Sequence, residues 1–319
     1  VEIKMKILVF GAGAIGSAFG GFLSKNHEVT LLGREDHMEA IRKNGLFVTG
    51  IWGRHRFRFK ELVTCMHDLD KSKPFDLILC TVKSYSTAKA ASLIKQVLGP
   101  KTLVVSLQNG LGNIEALCHV LPRKQVLAGR VIFGVELKKP GKIHVSVIAA
   151  PTAVGEILQK KMTLRIRQIA KIFNDAKLPS TSVKDVRSLL WSKVIYNAAL
   201  NPLASLLGTH YGYLGEHEST RATMEAVMEE IYAVAKKARI VLQPRSLEGY
   251  KKLFYGKLLP RTYHHHPSML QDLQRGKQTE IDALNGMVVQ LGKQYRVSVP
   301  MNMLLTQLIK SEEKKHSSS

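Results

Sequence analysis

Lys193, Asn197 and Asn201 recur at intervals of four within the stretch LLWSKVIYNAALN, residues 189–201. At about 100° per residue these three side chains fall within an arc of roughly 80° on one helix face. The rest of the stretch is apolar nearly all round (Leu189, Leu190, Trp191, Val194, Ile195, Ala198, Ala199, Leu200), which marks a buried helix. An ammonium and two amides on such a helix need polar partners, because burying an unpaired charge is costly. An internal hydrogen-bond network, a lysine reaching solvent, or a site for a polar ligand would each meet that need.

A second group of residues sits near the start of the chain. The β-rich run Lys6 to Phe10 leads directly into Gly11-Ala12-Gly13-Ala14-Ile15-Gly16, after which Ala18, Phe19, Phe22 and Leu23 recur at helical spacing. Strand, G-x-G-x-x-G turn and helix together are the context in which this motif binds a dinucleotide. Gly11 permits the tight turn, Gly13 lets a pyrophosphate approach the backbone, and Gly16 lets helix and strand pack closely. The exposed amides and the dipole at that helix start would hold the phosphates. The next strand, Val29 to Leu32, ends at Gly33-Arg34 with no acid at its end to take a ribose hydroxyl. Arg34 suits a 2′-phosphate, so the cofactor expected is NADP(H). A solvated loop charge is the alternative reading of Arg34.

Stepping along the chain, Gly45 to Thr64 alternates like small strands, and Phe75 to Val82 reads as a buried parallel strand ending at Lys83-Ser84. Thr102 to Leu107 is the next strand and ends in Gln108-Asn109-Gly110. Lys83 and Asn109 thus stand at carboxyl ends of strands, where ligands gather in open α/β sheets; Asn-Gly is equally a common turn. Helical stretches at Ala88 to Val97 and Asn113 to Val120 alternate with these strands as in βαβ units. Val126 to Gly155 reads as several shorter strands punctuated by Pro140-Gly141, extending the sheet. After a strand at Leu178 to Val183 the period becomes helical, including a helix over Glu216 to Ile240 with acids first and bases last. The expected architecture is α/β: a Rossmann-type dinucleotide-binding domain over residues 1–183, then an all-helical domain over 184–319. Met5 is a plausible start, and Lys314 to Ser319 is expected to fray.

Composition bounds the function. The chain has 319 residues, 45% hydrophobic and 23% charged, as in a soluble globular protein, but a formal charge of +22. That charge attracts anions such as a phosphorylated cofactor or a carboxylate substrate. The basic residues are spread out, with only short clusters (residues 54–60 and 160–167) and no interleaved aromatics, which speaks against a dedicated nucleic-acid site. Cys65, Cys80 and Cys118 have neither disulfide nor metal-site spacing, so a reducing, cytoplasmic setting is expected. Lys4 and Lys6 ahead of an apolar run imitate a signal peptide, but five glycines in that run argue against a membrane helix, and no membrane partner is expected.

With both halves read, the chain resembles the ketopantoate reductase (2-dehydropantoate 2-reductase) family over nearly its full length. The resemblance rests on GAGAIG at Gly11 to Gly16, VKS at Val82 to Ser84, QNG at Gln108 to Gly110, WSKVIYNAALNP, and SMLQDLQRGKQTEIDALNG at Ser268 to Gly286. It implies an NADP-binding domain, a helical domain and an active site in the cleft between them. By resemblance, Lys193 is the catalytic lysine and Glu280 the active-site carboxylate, while Asn109, Asn197, Asn201 and Ser268 contact substrate or nicotinamide and Lys83 lies near the cleft. The chain departs from the family at His264-His265-His266-Pro267, where an asparagine and a serine are common, so His265 takes the place of a substrate asparagine. Adjacent histidines diverge, and no metal site is expected.

The implied reaction is reduction of the C2 ketone of 2-dehydropantoate by NADPH in pantothenate and coenzyme A synthesis, with Lys193 protonating the developing alkoxide. Thr279 would cap a helix whose first turn carries Glu280; an ordinary first-turn acid is the alternative for Glu280 alone. A homodimer through the helical domain is suggested by the resemblance alone. The histidine run favours, as a rival, a related NAD(P)-dependent 2-hydroxyacid dehydrogenase on another 2-keto acid. The charge motivates a non-catalytic NADP- or nucleic-acid-binding protein.

Overall fold

The computed structural model describes residues 4–69 and 74–315. The chain forms two compact units, one made of Val1–Gln108 with Asn113–Val186, the other of Asn109–Gly112 with Arg187–Ser319. The loop carrying Asn109 therefore belongs with the later unit although it lies deep in the earlier sequence.

The first unit is built on strands β1 (Lys6–Phe10), β2 (Glu28–Leu32), β3 (Leu46–Gly50), β4 (His55–Phe57), β5 (Glu61–Val63), β6 (Leu77–Cys80), β7 (Leu103–Ser106), β8 (Val126–Lys139), β9 (Lys142–Glu156) and β10 (Ser180–Val183). Among the described residues they form one sheet in the order β4-β3-β9-β8-β7-β6-β1-β2-β5, with β10 on β9. The run β5-β2-β1-β6-β7-β8 is parallel throughout, the Rossmann-like order in which the direction of winding reverses between β1 and β6. Such strands are covered on both faces, which is why β1 and β6 are apolar runs rather than alternating ones; Ile7 to Val9 and Leu77 to Cys80 are fully buried. Helices α1 (Ala14–Leu23), α2 (Glu35–Asn44), α3 (Thr87–Lys95), α4 (Asn113–Val120) and α5 (Leu164–Asp175) make the connections.

One expectation changes here. Val126 to Gly155 is not a set of shorter strands but one long hairpin, β8 and β9, turning at Pro140-Gly141. Four register shifts, the first between Arg130 and Ile132, break the two-residue alternation and disguise the strands as fragments.

His37 ties three pieces of this unit together. The Gly141 amide donates to its Nδ1 at 3.0 Å, so the ring proton sits on Nε2, 2.9 Å from the Ser17 hydroxyl of α1. The ring is buried, and burial, opposed by nearby Asp36, holds its pKa below the usual value. A depressed histidine gives stability that is present above the unfolded pKa of about 6.5 and lost as pH falls through the folded value. Denaturant melts from pH 7.5 down to 5 should therefore show wild type losing stability faster than His37→Gln.

In the second unit, α6 (Val186–Leu206) runs through a core that includes Ile195, Ala198, Ala199 and Leu200 packed with Met224, Val227, Met228 and Ile231. Around it are α7 (Tyr211–Glu216), α8 (Glu218–Lys237), α9 (Leu247–Leu253), α10 (Leu259–Arg261), α11 (Ser268–Gln274), α12 (Asn285–Tyr295) and α13 (Pro300–Lys315). The helix expected over Glu216 to Ile240 breaks at His217, whose backbone is extended, and ends at Lys237. Lys314 and Lys315 close α13 instead of fraying, while residues 1–3 and 316–319 lie outside the described residues. Among the described residues no helix is long and apolar enough to cross a membrane.

Pro202 sits inside α6 and has no N–H for the Ala198 carbonyl. Asn285 supplies the missing donor, its Nδ2 lying 3.1 Å from that carbonyl and 3.0 Å from Asn302 Oδ1. Asn302 Nδ2 in turn donates to Glu230 at 2.7 Å. Asn285 and Asn302 are fully buried, so Asn285→Leu orphans a carbonyl and an amide oxygen at once. A loss of about 2–4 kcal/mol in urea unfolding is expected.

Candidate active site

Each glycine of the first-unit turn has its own reason. Gly11 has φ +104°, and a Cβ there would lie 2.7 Å from Val82. At Gly16 a Cβ would meet the Gly11 carbonyl at 2.5 Å and Thr81 Oγ1 at 2.6 Å, so only hydrogen lets α1 close on the end of β6. Gly13 differs: beyond its chain neighbours, no atom of the described residues lies within 4 Å of a Cβ placed there. That open space faces the start of α1, where the amides of Ala14 and Ile15 have no carbonyl of a preceding turn to meet. An open glycine beside first-turn amides fits a diphosphate. Arg34, exposed at the end of β2, is the N-cap of α2, and Lys83 precedes the short 3₁₀ turn Ser84–Ser86 after β6.

The second unit gathers the polar residues of α6. A recess of about 240 Å³, part of it open to solvent, is lined by Asn109, Asn197, Asn201, Ser268, Met269, Asp272, Glu280 and Leu284. Lys193 Nζ donates to Asn109 Oδ1 at 2.5 Å. Asn109 is delivered there by a loop that cannot carry a side chain at its next residue. Gly110 has φ +85°, and a Cβ would lie 2.5 Å from the Ala283 carbonyl, which also accepts from the Leu111 amide at 2.8 Å. The loop thus rests on the same turn, Ile281–Ala283, that presents Glu280.

That turn corrects the helix expected after Thr279. Glu280 precedes a single 3₁₀ turn, and the regular helix begins only at Asn285. Thr279 Oγ1 does accept from the Ile281 amide, at 3.2 Å. A one-turn helix has little dipole, so a macrodipole does not account for Glu280, which is buried.

His265 is not among the residues lining the recess. Its ring lies 5.2 Å from that of Tyr211, and its carbonyl accepts from the Tyr211 amide at 3.0 Å. Tyr211 then donates to Asn201 Oδ1 at 2.6 Å, so His265 stands one residue behind the wall of the recess. Asp272 escaped the sequence reading, although it is four residues after Ser268 and hence on the same face of α11.

A Rossmann-like sheet with an open glycine turn, followed by an all-helical unit with a lysine and amides about a recess, defines the class. The family model described as ketopantoate reductase PanE/ApbA matches residues 7–159, and that for its C-terminal part matches residues 185–313. The chain is 39% identical to 2-dehydropantoate 2-reductase of Aquifex aeolicus over 97% of both chains. It is 33% identical to the enzyme of the same name from Pyrococcus horikoshii, over 97% of this chain and 98% of that one. Among solved structures, the PanE/ApbA family ketopantoate reductase of Ralstonia eutropha superposes with a TM-score of 0.86 at 32% identity, covering 98% of this chain and all of that one. D-mandelate dehydrogenase, in a complex with NADH and anilino(oxo)acetate, shares the fold with a TM-score of 0.90 at 24% identity, over 98% of this chain and 99% of that one. The chain belongs to the ketopantoate reductase family and is an oxidoreductase of it.

Proposed function

We propose that the chain reduces the C2 ketone of 2-dehydropantoate to give pantoate, with NADPH as reductant. The observation that carries this reading is the Lys193 ammonium bonded to Asn109 at a recess whose other polar walls are Asn197, Asn201, Ser268, Asp272 and Glu280. NADPH, when bound at the glycine turn with Arg34 at its 2′-phosphate, supplies the hydride.

The residues of the chain do the rest. A lysine carries its proton at neutral pH in ordinary surroundings. Asn109 Oδ1 holds the amine in place by accepting one of its protons. The ammonium stabilises the developing alkoxide and then protonates it. The amides and the Ser268 hydroxyl offer donors to the substrate's carboxylate and keto oxygens, whereas Glu280 and Asp272 offer acceptors to its terminal hydroxyl. Two carboxylates in one recess disfavour a dianionic keto acid by like-charge repulsion. That distinguishes 2-dehydropantoate, a hydroxylated monocarboxylate, from oxaloacetate. The rival reading, another 2-keto acid, draws on His265, which packs behind Asn201 instead of joining the wall.

Initial rates of dihydronicotinamide oxidation with 2-dehydropantoate, ketoisovalerate and oxaloacetate, each with NADPH and NADH, separate these readings. The highest kcat/KM is expected for 2-dehydropantoate with NADPH. A tenfold preference for another keto acid would select the rival, and binding of NADPH without any turnover would remove both.

A further inference from the structure

We propose that Tyr211 is a positioning residue for the keto acid, fixing the Asn201 amide so that its N–H pair, and not its oxygen, faces the recess. The inference rests on the reading of that recess as the keto-acid site.

The Tyr211 ring is 3% exposed and Asn201 is 7% exposed. A buried phenol hydrogen needs an acceptor, and among the described residues the only one the structure gives it is Asn201 Oδ1, 2.6 Å away. The neighbouring phenol does not compete. Tyr196 lies edge-on to Tyr211 with ring centres 5.9 Å apart, and its own hydroxyl is 2.5 Å from Thr262 Oγ1. Thr262 in turn donates to the Leu258 carbonyl at 3.0 Å and so must accept from Tyr196. With its oxygen committed, the Asn201 side chain makes no other hydrogen bond among the described residues, yet it lines the recess. Its two N–H donors are therefore offered to an acceptor atom of the ligand, a carboxylate or keto oxygen. Packing holds the phenol in turn: its amide donates to the His265 carbonyl, and the His265 ring lies against it. Burial raises the phenol's pKa well above the ordinary tyrosine value, so it stays a donor throughout the working pH range.

Removing the hydroxyl frees the amide to turn its oxygen toward an anionic substrate, which weakens binding without touching the proton donor. In a keto-acid reduction assay, Tyr211→Phe should raise KM for the keto acid about tenfold, the effect of one lost charge-assisted hydrogen bond. The kcat should stay within twofold, NADPH affinity should not change, and the KM ratio to wild type should be the same at pH 6.5 and 8.5. Asn201→Ala should raise KM comparably, and adding Tyr211→Phe to it should cost nothing further. Asn201→Asp keeps the bond to Tyr211 and the shape but presents an acceptor, so it too should raise KM at least tenfold. A KM for Tyr211→Phe within twofold of wild type, effects that multiply in the double variant, or normal binding by Asn201→Asp would each overturn the proposal. Loss of kcat and thermal stability together, with KM unchanged, would assign Tyr211 to the fold alone. If wild type reduces no keto acid, the reading of the recess fails and the inference with it; if only the variants disagree, the recess stands and Tyr211 falls.

Discussion

Lys193→Ala should cut turnover about 1,000-fold or more while leaving NADPH affinity and fold intact. A positioned acid is worth about 10²–10⁴ and a donor to a developing oxyanion about 10²–10³; one group performing both places the loss at about 4 kcal/mol or above. The fold should not suffer. Lys193 is half-buried on α6 and donates to a loop asparagine, and alanine is the residue most favourable to helix. KM should move less than kcat, because the interaction strengthens as charge reaches the oxygen. Steady-state kinetics beside a fluorescence titration with NADPH would read both. A loss under tenfold would mean that another group delivers the proton.

Gly13→Val should weaken NADPH binding about 100-fold or more, near 2.7 kcal/mol, with little change in stability. The backbone at Gly13 is extended, with φ −78° and ψ −158°, and its φ is negative, outside the left-handed region that only glycine visits freely. Beyond its own chain neighbours, no atom of the described residues lies within 4 Å of the new Cβ. Replacing glycine at the N-cap of α1 by valine costs about 1 kcal/mol at most. The added methyls occupy the space a diphosphate needs to reach the first-turn amides. Gly16→Val gives the opposite signature, since its side chain would collide with Gly11, Thr81 and Val9, and unfolding should accompany any loss of binding. Calorimetric titration with NADPH and thermal melts of the two variants would separate a ligand cradle from a packing contact.

Much of this was legible in the sequence because the signals are local. The strand, turn and helix around Gly11 to Gly16 rest on period and on glycine at fixed offsets. The α6 face rests on a spacing of four, and the three polar residues of that face do lie toward one loop and one recess. What stayed hidden depends on contacts distant in sequence. Nothing near Asn109 shows that its loop packs on Ile281–Ala283, a contact that Gly110 alone makes possible. Tyr211 and Asn285 resemble ordinary core residues until their partners, Asn201 and the carbonyl freed by Pro202, are seen. His265 is a further case. Its place in the chain suggests a substrate contact, and nothing local in the sequence shows that a turn through Thr262 and Tyr263 lays its ring beside Tyr211. The β8–β9 hairpin was masked by its own bulges, which reset the period a strand is recognised by.

Transfer of deuterium tests the central claim most directly. With NADPH deuterated at C4 on the transferred face, wild-type protein and 2-dehydropantoate should yield pantoate carrying one deuterium at C2, in a single enantiomer, as read by mass spectrometry and chiral chromatography. Pantoate without the label, or labelled cofactor returned unconsumed from a complex that binds it, would contradict the account.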